Sequence, residues 1–165
     1  MSPTLDPRAT EVLDFWFGRP GAPEYGQPRG EWFRKDEAFD AGIRSRFLPA
    51  VETALAGGLS GWAEEPQGLL ALLILLDQFP RNLFRGTARA FAGDAQARQL
   101  AAVAIGHGWD TNLTAGEKLF IYLPLEHSEV LADQERSVAL FSALAAEHPG
   151  CEGFQIGRAS CRERV

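Results

Sequence analysis

Cysteine is nearly missing from this sequence. The two present, Cys151 and Cys161, both fall in the last fifteen of 165 residues. With no thiol in the first 150 residues, a disulfide framework for the body of the protein is excluded, and a reducing cytoplasm suits the chain. Long hydrophobic runs are missing too. The longest, from Leu69 to Leu76, is too short to span a bilayer. The N-terminus has no basic segment followed by an apolar stretch and a small-residue cleavage site. The expectation is a cytoplasmic protein with no membrane partner. Basic charge is not in excess: 16 basic against 22 acidic side chains leave a net charge of −6, which argues against a nucleic-acid partner.

The standard catalytic patterns are also absent. There is no Gly-x-x-x-x-Gly-Lys loop, and Gly106-His-Gly108 lacks the third glycine of a dinucleotide fingerprint. No His-Glu-x-x-His occurs. His107, His127 and His148 are scattered, and two terminal cysteines do not complete a zinc site. His127 and Ser128 are adjacent, so on a helix they point apart and form no triad. A magnesium site from Asp77, Glu126 and Glu129 is not supported by spacing alone. Neither a metal nor a cofactor is expected.

What is there reads as helix. Hydrophobic residues make up 45% of the chain, with eleven Phe and four Trp to fill a core. Asp6-Pro7 is an N-cap followed by proline at the first helical position, ahead of an apolar face from Val12 to Phe17 that Gly18 closes. A loop rich in proline and glycine follows to Gly30, long enough that it must be packed down or functional. A second helix is predicted over about 36–56, where Phe39, Ile43, Phe47, Val51 and Leu55 repeat every four residues and Pro49 introduces a kink. Pro66 suits the first turn of a third helix, and Leu69 to Leu76, apolar on every side, reads as its buried continuation. Further helices are predicted from about residue 93 or 94 to Ile105, from the Thr114-Ala-Gly-Glu117 capping box to Pro124, and from about Ser128 to Glu147. No segment shows sustained strand alternation. The fold class is all-α, with antiparallel helix pairs joined by short turns.

The end of the chain differs from the rest. Residues 155–165 carry three of the 16 basic residues and no helical apolar repeat. The preferred reading is a single helical domain over residues 1–154 followed by a non-native or disordered tail, 155–165.

Two polar constellations stand out. In the first, Asp77, Arg81 and Arg85 fall at i, i+4 and i+8, with Gln78 and Asn82 as a neighbouring stripe, provided the helix continues through Pro80. Asp77 follows eight apolar residues, so a buried carboxylate paired with Arg81 is one reading: an ion pair pinning a central helix. The other is that Asp77 orients one arginine while a second faces a cleft and grips a carboxylate or phosphate in two-pronged fashion. The second constellation runs from Tyr122 to Glu129. His127 titrates near neutrality and Glu126 or Glu129 is placed to orient it; equally, the histidine is satisfied by a neighbouring helix and the glutamates face solvent.

These same residues resemble a known family. Asp14-Phe-Trp-Phe17, Trp32-Phe33 with Phe39-Asp40, Asp77-Gln-Phe-Pro-Arg-Asn82 through Arg85-Gly86, Phe91 with Asp94, and Leu123-Pro-Leu-Glu-His-Ser-Glu129 with Gln134 are similar to the bacterial domain of unknown function 924 over roughly residues 10–154. The resemblance implies an all-helical fold like the tetratricopeptide proteins, in a right-handed superhelical or bundle arrangement, and implies no activity. Family members usually continue with a further helix and a segment rich in Arg, Phe, Pro and His, which the tail after Phe154 replaces here. That departure implies a truncated chain with apolar surface left open.

Three functions fit these residues. The leading one is a polar cleft in which Arg81, Asn82 and Arg85 meet Glu126, His127 and Glu129 and hold a small anionic ligand or a peptide carboxylate, with Asp77 and Gln78 supporting them. The second is a hydrolase-like enzyme using His127 as general base. The third is a tetratricopeptide-like scaffold that binds a partner helix or peptide in an apolar groove.

Overall fold

The computed structural model describes residues 4–148. The expectations for Cys151, Cys161, Pro149-Gly150 and the 155–165 tail lie outside the described residues.

The chain folds as α1 (Pro7–Phe17), α2 (Glu37–Leu55), α3 (Pro66–Leu73), α4 (Phe79–Leu83), α5 (Asp94–Gly106), α6 (Ala115–Glu126) and α7 (Leu131–Glu147), with single 3₁₀ turns at Gly30–Trp32, Ser60–Glu64 and Ala88–Phe91. Among the described residues there is no strand, and the protein is all-α. No helix among them is long and apolar enough to cross a membrane.

Local signals in the sequence account for most boundaries. The Asp6 carboxylate accepts from the Arg8 backbone N–H at 2.9 Å and caps α1, while Gly18, at φ +85°, closes it by donating to the Asp14 carbonyl. The loop beyond is packed down rather than free. Arg29 donates to the Phe15 and Trp16 carbonyls at 2.8 and 3.0 Å, and the Trp32 indole donates to the Trp16 carbonyl at 2.9 Å. These donors satisfy the last turn of α1, where carbonyls lack helical partners. α2 runs through Pro49 as one helix, capped by Asp36 onto the Phe39 N–H. The capping box of α6 forms as expected, with Thr114 and Glu117 each accepting from the other's backbone N–H.

One boundary differs. α7 begins at Leu131, not at Ser128. Ser128 is held in the preceding turn, where its hydroxyl accepts from the Val130 N–H at 3.1 Å and donates to Asp133 at 2.7 Å. The Gln134 amide reaches back to the Glu126 and Ser128 carbonyls and fixes that turn. A serine bonding to nearby backbone competes with helix formation, which delays the start by three residues.

The centre of the molecule is the rod formed by α3, a π-helical turn at Ile74–Gln78 and α4. Every residue from Leu69 to Phe79 is buried. The π turn follows from Pro80, which has no N–H to give to the Leu76 carbonyl four residues earlier. The Phe79 N–H pairs with the Ile74 carbonyl instead, five residues back. The Leu76 carbonyl is approached closely by Gly93, at the entry to α5. Around this rod packs an aromatic cluster. Trp16 meets Phe120 at 5.3 Å, Phe79 at 5.7 Å and Trp32 at 6.1 Å between ring centroids, and Phe47 meets Phe79 at 5.2 Å. One hydrophobic core extends from Ala9 to Leu144.

Candidate functional site

The helix through Pro80 carries the first polar constellation into the core. Asp77 lies within the π turn and is 1% exposed. Its carboxylate is fully engaged. Oδ2 accepts from the Gln78 amide at 2.7 Å, and Oδ1 lies 2.9 Å from His127 Nδ1 and 3.3 Å from Arg81 Nη1. Burial alone would push this carboxyl up. The positive charge of His127 and of Arg81, with hydrogen bonds from His127 and Gln78, outweighs burial and holds its pKa at about 2. An ionised carboxylate only accepts, so His127 Nδ1 carries a proton, and the imidazole's other nitrogen, Nε2, defines its acid–base state.

Arg81 is held from three sides. It forms a two-pronged pair with Asp94, at 2.8 and 3.0 Å, contacts both the carboxylate and the backbone carbonyl of Asp77, and lies over the Phe91 ring at 5.3 Å. Four residues on, Arg85 pairs with Asp40 at 2.8 and 3.3 Å, and the Asn82 amide donates to the same carboxylate at 2.8 Å. Arg85 Nε and Nη2 face Asp40, and its side chain remains 38% exposed. The Arg44 guanidinium closes the end of α4 on the Leu83 carbonyl.

These groups border a cleft of about 450 Å³. Gln78, Arg81, Asn82, Arg85 and His127 line it. Asp77 does not; it lies beneath, holding Gln78, Arg81 and His127 in place. Glu126 and Glu129 differ from expectation. Neither is among the lining residues, and Glu129 is exposed. Glu126 precedes His127 by one residue at the end of α6, which turns it about 100° away around the helix axis. Among the described residues, no three of His, Cys, Asp and Glu are grouped as a metal site, Asp77, Glu126 and Glu129 included.

Sequence reasoning missed the other half of the cleft. Trp32, Phe33, Arg34 and Lys35 line it from the segment after the Pro/Gly loop, Ala90 and Phe91 from the 3₁₀ turn before α5, and Leu123 from α6. The partners Asp40 and Asp94 were missed as well. They lie 45 and 13 residues from their arginines, beyond any helical spacing. The signal available was the run Trp32-Phe-Arg-Lys35, two aromatics followed by two cations at the end of a loop anchored by Arg29.

Acid should weaken this network. A carboxyl whose folded pKa is depressed stabilises the fold above its unfolded value and loses that contribution as pH falls towards its folded value. For Asp77 the window runs from its ordinary 3.8 down to about 2, worth about 2 kcal/mol. Urea denaturation of wild type and Asp77→Asn should therefore converge over that window, since the amide has no proton to take up. A constant difference down to pH 2 would contradict the assignment.

The fold and site define a helical protein with a buried carboxylate presenting arginine and imidazole groups to a mixed aromatic and cationic cleft. The chain belongs to the family described as bacterial protein of unknown function (DUF924), whose model matches residues 12–162. It is also similar to a solved structure of a protein of unknown function from Agrobacterium tumefaciens, with 38% identity and a TM-score of 0.73, covering 89% of this chain and 80% of that one. No protein of curated function matches it.

Proposed function

We propose that the protein binds a small anionic ligand in this cleft. One observation carries the reading: the charged residues lining the cleft, apart from titratable His127, are all cations, namely Arg34, Lys35, Arg81 and Arg85. The carboxylates that pair with the arginines, Asp36, Asp40, Asp77 and Asp94, are not among the lining residues. A concave surface with cations forward and carboxylates set back attracts anions and resists cationic ligands. Arg81, locked by Asp94 and Asp77, supports the shape; Arg85, the more exposed of the two, grips the ligand.

Mass spectrometry of small molecules that co-purify with the protein identifies the class of ligand directly. Carboxylates and phosphates from that set should raise the melting temperature by several degrees at saturating concentration, since about 2.7 kcal/mol is gained at a hundredfold excess over Kd. Arg85→Ala should remove this rise while altering the unliganded stability by only about 1 kcal/mol, since Arg85 is partly exposed and Asn82 still donates to Asp40. An unchanged ligand response in Arg85→Ala would overturn the reading.

A second reading is favoured by the 2.9 Å Asp77–His127 contact: a hydrolase-like enzyme in which the oriented imidazole acts as general base and the arginines stabilise developing negative charge. Turnover lost in His127→Gln with ligand binding retained is its signature. A protein-interaction scaffold calls for an exposed apolar groove. Among the described residues the large hydrophobics left exposed are Val103, Val130 and Leu131, so the cleft carries the stronger reading.

A further inference from the structure

We infer that the occupant of the cleft is a singly charged organic acid with an apolar or aromatic body, and not a phosphate. This rests on the anion-binding reading above and narrows it.

Arg34, Lys35, Arg81 and Arg85 face the cleft, but four carboxylates stand next to that set: Asp36 is 3.8 Å from Arg34, Asp40 and Asp94 make close pairs with Arg85 and Arg81, and Asp77 lies under Arg81 and His127. The cations set the direction of the field while the local sum stays near balance. A dianion would meet four nearby negative groups with little uncompensated positive charge to offset them. A monocarboxylate needs only one guanidinium edge; Arg85, 38% exposed, meets Asp40 through Nε and Nη2, leaving Nη1 clear of that carboxylate, and Lys35 lines the same space.

Trp32, Ala90, Phe91 and Leu123 come from three separate elements and converge on the same space. The Phe91 ring sits against the Arg81 guanidinium, so an apolar surface lies directly beside the polar one. About 450 Å³ is far more than a carboxylate group fills and lies in the range of clefts that enclose an organic body, where apolar lining supplies affinity and a few polar groups fix orientation. Inorganic phosphate would leave that lining in contact with water.

The test is isothermal titration of the full chain with hydrocinnamate, acetate, inorganic phosphate and a short peptide ending in phenylalanine. Hydrocinnamate should bind at least about tenfold more tightly than acetate or phosphate. Phe91→Leu should narrow the gap between hydrocinnamate and acetate, and Arg85→Ala should weaken both. Phosphate binding as tightly as hydrocinnamate, or acetate matching it, would overturn this inference while leaving anion binding intact. A peptide binding tenfold more tightly than hydrocinnamate would replace the small acid with a protein C-terminus. If none of the four bound, both this inference and the anion-binding reading would fall.

Discussion

An Asp77→Ala chain is expected to lose about 3–5 kcal/mol of stability, the cost of removing one partner from a buried ionic cluster. Asp77 is where two distant parts of the chain are joined: its carboxylate meets Gln78 and Arg81 on its own helix and His127 fifty residues away, at the end of α6. Truncation removes the acceptor for all three and leaves imidazole and guanidinium groups facing a void in the centre of the fold. Arg81 keeps Asp94 as a partner, so the loss falls mainly on His127 and Gln78. Asp77→Asn preserves the volume and one acceptor oxygen and should cost less. Urea denaturation followed by tryptophan fluorescence measures both. A loss below about 1 kcal/mol in Asp77→Ala would mean that the cluster does not anchor the helix and that Asp77 is dispensable to the cleft.

The other large effect is expected at Gly93→Ala. A Cβ built on Gly93 overlaps the carbonyl oxygen of Leu76, a backbone atom that cannot rotate away. Gly93 has ordinary negative φ, so its role is close approach, not a left-handed conformation. The clash falls on the carbonyl four residues before Pro80, at the π turn that places Asp77. Relief requires α5 to move away from the central rod, taking Asp94 and its hold on Arg81 with it. The expected loss is about 3 kcal/mol, at the upper end for overpacking a filled core. Gly106→Ala is the control. It sits in the last turn of α5 with nothing near its missing Cβ and should be neutral or slightly stabilising. Equal melting temperatures for the two variants would contradict the close-packing account.

The sequence carried the helices because their signals are local. Caps at Asp6, Asp36 and Thr114, the four-residue repeat from Phe39 to Leu55, and the uninterrupted apolar run before Asp77 each act within a turn or two. Asp77 with Arg81 was readable for the same reason, at helical spacing. The pairing of Arg81 with Asp94 and of Arg85 with Asp40 was not, because tertiary packing and the π turn determine which remote carboxylate each guanidinium reaches. The Trp32 to Lys35 lining depends on Arg29 and Trp32 tethering an irregular loop to α1, and irregular segments leave little periodic trace. Glu126 and Glu129 illustrate the opposite failing: closeness in sequence to His127 suggested a shared site, while helix geometry turned one aside and the following turn left the other in solvent.

The most direct test follows the arginine guanidinium N–H resonances, Nη included, in a nitrogen-15 NMR spectrum during titration with hydrocinnamate. The Arg85 signal should shift and saturate with the ligand, while that of Arg46, stacked on Phe15 and Phe47 and absent from the cleft lining, stays still. An unmoved Arg85 signal at saturating ligand, or an equal shift at Arg46, would contradict a cleft that receives anions through the arginines ranged above Asp77.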